Sequence, residues 1–186
     1  IQANKTAEGI SLYLHLPFCE QLCTYCGCNK RITKNHSVET IYIDALLKEW
    51  AHYKKMFGDQ LIIREVHLGG GTPTFFSPEN LVYLMTELFK GVSIHPEPEF
   101  SFEGHPNNTT KEHLQSLYDI GFRRVSFGVQ DLDAKVQVAI NRVQPFEKTK
   151  QVTEWAREIG YESVNFDLIY GLPFQTIDTI RQTIES

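Results

Sequence analysis

A parallel α/β fold, open or barrel-like, is what this 186-residue sequence predicts. Strand and helix patterns alternate along the chain, and helix ends run into strands over capping glycines. The pattern also repeats internally: D-I-G-F-R-R-V-S-F-G at Asp119–Gly128 aligns with E-I-G-Y-E-S-V-N-F-D at Glu158–Asp167. Successive helix–strand units of one parallel sheet produce such an echo. In such folds chemistry collects at the C-terminal ends of the strands, where candidate residues are therefore expected.

Ser11–Leu16 alternates with period two, placing Tyr13 and His15 on one face and Leu12, Leu14 and Leu16 on the other, before Pro17 ends the strand. A helix from Val38 to Phe57 carries one apolar stripe, Ile43, Leu46, Leu47, Trp50, Tyr53 and Phe57. Ile62–Leu68 is a strand running into Gly69-Gly70-Gly71-Thr72-Pro73. Ser77 and Pro78 read as an N-cap and first-turn proline for a helix with Leu81, Leu84, Met85, Leu88 and Phe89 at helical spacing. Glu99–Gly104 is a short strand. Thr109 with Glu112 fits a capping box for a helix through Leu114, Leu117 and Tyr118 that Gly121 closes. Arg124–Gly128 is the fourth strand, Pro145–Ile159 a helix closed by Gly160, Ser163–Leu168 the fifth strand, and Asp178–Ile184 a last helix.

Composition is that of a globular protein, 41% hydrophobic and 22% charged. A net charge of −5 argues against a general nucleic-acid or membrane-surface binder. No apolar run approaches the roughly 20 residues that span a bilayer, and no signal peptide is visible. The chain starts at Ile1 and stops at Ser186 inside a helical pattern, so it is expected to be a fragment or a mature form.

All four cysteines lie in C-E-Q-L-C-T-Y-C-G-C-N-K, Cys19–Lys30. Such crowding suits a metal or cluster better than a disulfide framework and implies a reducing compartment, most simply the cytoplasm. Cys19, Cys23 and Cys26 are spaced C-x3-C-x2-C after the first strand. Structural zinc takes four ligands, usually as two pairs, and here a second pair is missing; Cys28 or His15 would have to complete the set. A four-iron cubane held by three cysteines keeps one iron open to a ligand. A zinc-binding interaction module is thus the reading from a different class.

The spacing resembles the signature of the radical S-adenosylmethionine (SAM) superfamily. The surrounding blocks narrow the likeness: Y-L-H-L-P-F-C before the loop, C-N-K after it, then H-L-G-G-G-T-P (67–73), S-F-E (101–103), F-G-V-Q-D (127–131), N-R (141–142) and N-F-D-L-I-Y-G-L-P (165–173). Together they resemble the oxygen-independent coproporphyrinogen III oxidases. A sister group, the haem chaperones, usually carries Phe where Cys28 stands. Haem-degrading radical-SAM methyltransferases are a further rival.

The resemblance implies an oxidoreductase of porphyrin and haem biosynthesis that decarboxylates two propionates of coproporphyrinogen III to vinyls, giving protoporphyrinogen IX. It implies a [4Fe-4S] cluster held by Cys19, Cys23 and Cys26, with SAM on the open iron and a second SAM nearby. Reduction of the SAM sulfonium yields a 5′-deoxyadenosyl radical that abstracts hydrogen. Tyr13, Gly70 and Glu103 match contacts to the first SAM. Tyr25, Gly71, Thr72, Gln130, Arg142 and Asp167 match contacts to the second. Cys28 is carried as a candidate catalytic residue outside the cluster ligands, its role left open.

Each residue also has a reading of its own. The glycine run permits close backbone approach to a ligand, with an ordinary turn as the plainer meaning; the absence of G-K-[ST] after it excludes a P-loop. Glu103 at a strand end suits ribose hydroxyls or an amino group, or is a solvated acid. Arg142 suits a bidentate carboxylate clamp or a surface ion pair. Tyr25 is a SAM-packing or loop-packing aromatic, and His15 a satisfied core histidine. Asp167 shares a strand face with Asn165. Gly104-His105 departs from the family, which often has a small or apolar residue and then Asp before Pro106. Lys30, Arg31 and Lys34 are candidate holders of substrate propionates, or a solvated loop.

The expected architecture is a partial (β/α)6 barrel over residues 1–186, with the last strand or strands and a C-terminal substrate-covering domain lying outside the chain. A flavodoxin- or ferredoxin-type electron donor and a monomeric state are also expected.

Overall fold

The computed structural model describes residues 8–58 and 61–186. Five strands form one parallel sheet: β1 (Ile10–Leu16), β4 (Ile62–Gly70), β5 (Ser93–Gly104), β6 (Arg124–Gln130) and β7 (Ser163–Leu168), adjacent in that order. Strands follow chain order across the sheet, as repeated right-handed helix crossovers produce. A two-residue pair, β2 (Phe18–Cys19) with β3 (Arg31–Ile32), brackets the cysteine loop.

The crossovers are α1 (Val38–Phe57), α2 (Pro78–Phe89), α3 (Lys111–Ile120) and α5 (Phe146–Ile159), each packed on the next. A short α4 (Ala134–Ala139) follows β6, and α6 (Ile177–Glu185) follows β7. Helices α1, α2, α3 and α5 cover one face of the sheet. Leu14, Leu16, Val66, Leu68, Phe100, Phe102, Val125 and Phe127 point there and are buried. Side chains of this size are worth about 3–5 kcal/mol each against alanine for the phenylalanines. Tyr42 ties α1 to the sheet by donating to the His15 carbonyl at 2.6 Å, and Trp50 donates to the Leu88 carbonyl of α2 at 2.9 Å.

Glu39 joins two helix starts. Buried to 1% exposure, its carboxylate accepts from the Ser77 N–H at 2.8 Å, Asn80 Nδ2 at 2.7 Å and His36 Nδ1 at 2.7 Å. It thus satisfies donors at the N-terminus of α2 from the first turn of α1.

Several boundaries differ from the sequence reading. The third sheet strand begins at Ser93, not Glu99. Pro96 and Pro98 disguised it; they fall where its register against β4 slips between Ile63 and Glu65, so no ladder hydrogen bond is lost there. The α3 cap is Thr110 rather than Thr109, with His113 in place of Glu112 closing the capping box. Thr109 is buried and donates to the His105 carbonyl instead. Tyr53 of the expected α1 stripe is 45% exposed. Ser77 caps α2 as expected, accepting from the Asn80 N–H at 3.2 Å, and α4 was not anticipated.

Candidate active site

The face of the sheet opposite the helices is polar. The register aligns Tyr13 with His67 and Ser101, and Glu103 with Ser126 and Asn165. These side chains bond to each other across strands. Tyr13 stacks on His67 with ring centroids 5.8 Å apart. His67 Nδ1 pairs with Ser101 Oγ at 2.8 Å, and its Nε2 stands 3.5 Å from Glu103 Oε1. Ser126 donates to Asp167 at 2.9 Å. Strand alternation alone puts them on one face; the parallel register brings them level.

At the C-terminal ends of these strands the loops enclose a cleft of about 280 Å³. Cys19, Cys23, Cys26 and Cys28 line it, with Tyr25, Gly70, Gly71, Thr72, Glu103, Gln130, Arg142 and Asp167. Every candidate site residue therefore meets in one place except Tyr13, which lies one strand position below. There its hydroxyl is 3.3 Å from His15 Nδ1.

The cysteine loop is fastened from several sides. Backbone bonds from Arg31 to the Pro17 carbonyl (2.8 Å) and from Thr33 to the Cys19 carbonyl (2.9 Å) close its base. His15 Nε2 is 2.7 Å from the Asn29 carbonyl oxygen. Lys30 Nζ donates to the carbonyls of Cys26 (2.7 Å) and Cys28 (3.3 Å). Lys30, a candidate propionate holder or a solvated loop residue by sequence, is engaged by the loop itself. Thr72 Oγ1 lies 3.3 Å from Cys19 Sγ. Burial pushes the Cys19 thiol up, against the pull of that hydroxyl; burial and the neighbouring Cys26 push Cys28 up. Among the described residues no three His, Cys, Asp or Glu side chains gather tightly enough for a single metal ion.

The glycine run is required by its neighbours. A Cβ on Gly70 would stand 2.7 Å from the His15 ring, and one on Gly71 would stand 2.6 Å from the Pro17 carbonyl. Gly70 also has φ +116°, and its N–H donates to Glu103 Oε2 at 3.3 Å. The run thus lets β1 and the base of the cysteine loop approach its backbone closely.

Opposite the loop stand residues from the ends of β6 and α4. Gln130 sits in a bulge of β6 with φ +66°, a conformation non-glycine residues rarely take. Arg142 donates through Nη2 to the Gly128 carbonyl at 2.6 Å, and its Nη1 is 3.8 Å from Cys23 Sγ. Its Nε is buried and has no partner among the described residues. Tyr25 packs on a small second core, Val136, Ile140 and Leu172, together with Ile169. Asp167 is exposed and bonds Ser126, consistent with the polar face expected for it.

Three contributors escaped the sequence reading. His67 was quoted within a motif but given no role, although its spacing to Gly69 puts it on the site face. Asn141 binds the cysteine loop through its side chain. His105 lines the cleft, its Nδ1 accepting from the Asn107 N–H at 3.1 Å. Burial, and then the Arg142 charge, hold its pKa down at about 3, so it is neutral at ordinary pH.

Comparison with known proteins agrees with this geometry. The oxygen-independent coproporphyrinogen III oxidase of Helicobacter pylori J99 is 45% identical over 184 residues, 97% of this chain and 40% of that protein. The Escherichia coli K12 protein of the same name is 39% identical over 176 residues, 95% of this chain and 38% of its own length. The chain thus spans about 40% of the length of the curated relatives it matches. The solved coproporphyrinogen III oxidase of Escherichia coli, described as a radical SAM enzyme, superposes with a TM-score of 0.91 at 39% identity, over 96% of this chain and 41% of that one. A radical SAM methyltransferase from Kitasatospora setae shares the fold at TM-score 0.63 and 14% identity, over 99% of this chain and 34% of that one. The radical SAM superfamily model matches residues 13–186, and with the three-cysteine loop at the strand ends the chain belongs to that superfamily.

Proposed function

We propose that this chain is the catalytic barrel portion of an oxygen-independent coproporphyrinogen III oxidase, converting coproporphyrinogen III to protoporphyrinogen IX by oxidative decarboxylation of two propionates. The observation that carries it is the single cleft in which three cysteines, the glycine run, Glu103, Gln130, Arg142 and Asp167 converge. Relatives named for that activity, at 39–45% identity over nearly all of this chain, support it.

The donor set suits a [4Fe-4S] cluster. All four thiols line the cleft, and Cys19, Cys23 and Cys26 alone carry the C-x3-C-x2-C spacing, a three-thiol set that leaves one iron of a cubane open. The partnerless Arg142 Nε marks a place for an outside acceptor. When bound, the cluster and SAM together supply a carbon radical able to abstract hydrogen from a propionate.

The chain's own residues do the rest. Cys19, Cys23 and Cys26 would hold the cluster, and the Thr72 hydroxyl, 3.3 Å from the Cys19 sulfur, would orient it. Glu103, steadied by the Gly70 N–H, offers its carboxylate to an ammonium or ribose of one SAM, with Tyr13 beneath. Arg142, its Nη2 already fixed on Gly128, would offer its remaining donors, the partnerless Nε among them, to a carboxylate of a second SAM. Gln130, Asp167, Gly71, Thr72 and Tyr25 complete that second position. Cys28, on the exposed side of the loop, is a candidate to act on substrate. The cytoplasm, a flavodoxin- or ferredoxin-type donor and a monomeric state are part of the same proposal. So is completion of the barrel and a substrate-covering domain by further chain. Among the described residues no helix is long and apolar enough to cross a membrane.

The test is an anaerobic assay of the full-length protein with SAM and coproporphyrinogen III, following 5′-deoxyadenosine and vinyl product together. Both should appear. SAM cleavage without decarboxylation would leave the superfamily and remove the oxidase.

A further inference from the structure

We propose that Asn141 is the positioning residue that seats the cysteine loop, reading the backbone between Cys19 and Cys23 with its side-chain amide. The proposal rests on the cluster reading above. Asn141 follows α4 with φ +54° and closes that helix by donating from its N–H to the Val138 carbonyl at 3.1 Å. Its Nδ2 donates to the Leu22 carbonyl at 2.7 Å, and its Oδ1 accepts from Gln21 Nε2 at 2.7 Å. Beside it the Thr24 N–H donates to the Ile140 carbonyl at 3.0 Å. Residues 21–24 are therefore laid along the end of α4.

Little inside the loop does this work. Between Cys19 and Cys26 the backbone makes one bond to itself among the described residues, from Cys26 N–H to the Cys23 carbonyl at 3.2 Å. A segment so poor in internal bonds takes its shape from what it is bound to. The position of Cys23 relative to Cys19 thus depends on α4, an element contributed from far along the chain.

Closing a helix does not need asparagine. Glycine takes the left-handed conformation with less strain and is the commoner residue there. What asparagine adds is an amide with one donor and one acceptor, and both are engaged on the loop. Asn141→Gly consequently removes the clamp and keeps the helix end.

The experiment uses full-length protein reconstituted anaerobically with iron and sulfide, and follows release of iron to a chelator alongside urea unfolding of the metal-free protein. Asn141→Gly should release iron about tenfold faster than wild type, the factor two ordinary hydrogen bonds represent. Its urea midpoint should stay at the wild-type value. Gln21→Ala should release iron about threefold faster, and adding it to Asn141→Gly should change little further, because the two share one bond. Wild-type release in Asn141→Gly, or faster release matched by an equal loss of global stability, overturns the positioning role while leaving the cluster reading intact. A wild-type protein that takes up no iron overturns the cluster reading and this proposal with it.

Discussion

Replacing Gly71 by alanine should damage the site by a route visible in the backbone. The new Cβ would stand 2.6 Å from both the carbonyl carbon and oxygen of Pro17, and 2.9 Å from the Phe18 carbonyl oxygen. These are main-chain atoms between β1 and the first cysteine, and no side chain can swing away to relieve them. To reach ordinary contact the two segments must part by about 0.8 Å. That stretches the bonds from the Gly71 N–H to the Leu16 carbonyl, now 2.9 Å, and from the Thr72 N–H to the Phe18 carbonyl, now 3.0 Å. Overpacking of this kind costs about 1–3 kcal/mol. Cys19 and Thr72 ride on the two segments, so the sulfur and the hydroxyl beside it separate as well. A displacement near 1 Å in a catalytic arrangement can cost about 10²-fold in rate. Urea unfolding measures the first effect, and 5′-deoxyadenosine formation by the full-length protein measures the second. Gly27→Ala is the control within the same loop, since no heavy atom lies within 4 Å of its added Cβ. It should leave stability and iron content unchanged. A Gly71→Ala protein with wild-type stability and wild-type SAM cleavage would refute the steric argument.

Other perturbations have definite directions. Glu39→Ala leaves the Ser77 N–H, Asn80 and His36 without their acceptor and should cost about 3 kcal/mol in urea unfolding. His105 gives a pH dependence. With a folded pKa of about 3 against an ordinary 6.5, its contribution is whole above pH 6.5 and is lost as pH falls toward 3, because only the unfolded chain then takes the proton. Between pH 7 and 5.5 wild type should lose up to about 1 kcal/mol more than His105→Asn, whose side chain still accepts from the Asn107 N–H. Buried His113, lowered for the same reason, keeps its own slope in both proteins. Arg142→Lys should weaken binding of the second SAM about tenfold or more in equilibrium dialysis, leaving one SAM per chain at limiting concentration.

Much of this was legible in residue patterns. The first strand announces itself through alternation, and Gly121 and Gly160 mark helix ends where the structure has left-handed caps. The cysteine rhythm and the blocks at 67–73, 127–131 and 165–173 foretold which residues share the cleft. What stayed hidden depended on contacts between distant segments. The start of β5 was masked by Pro96 and Pro98, whose acceptability rests on a register slip in a neighbouring strand. The six residues of α4 are too few for a periodic signal. Thr109 and Thr110 are equally able caps by type; burial of the first against Thr74 and His105 decides between them. Lys30 stood open between a propionate holder and a solvated loop residue because nothing local says that two carbonyls of the preceding loop face it. The glycine run was visible, but its reason lay in Pro17 and His15, one strand away.

The second small core has a consequence for how the molecule opens. Val136, Ile140, Leu172, Tyr25 and Ile169 are packed apart from the main core beneath the helices. A unit of this size buries little apolar area, so it should come loose at lower free energy than the sheet, as a cooperative patch of its own. Amides of α4 and of residues 24–26 should then exchange with solvent together, well before those of β4 and β5. Cys26 is in this way uncovered to solvent, and covered again, while the strands of the sheet stay folded.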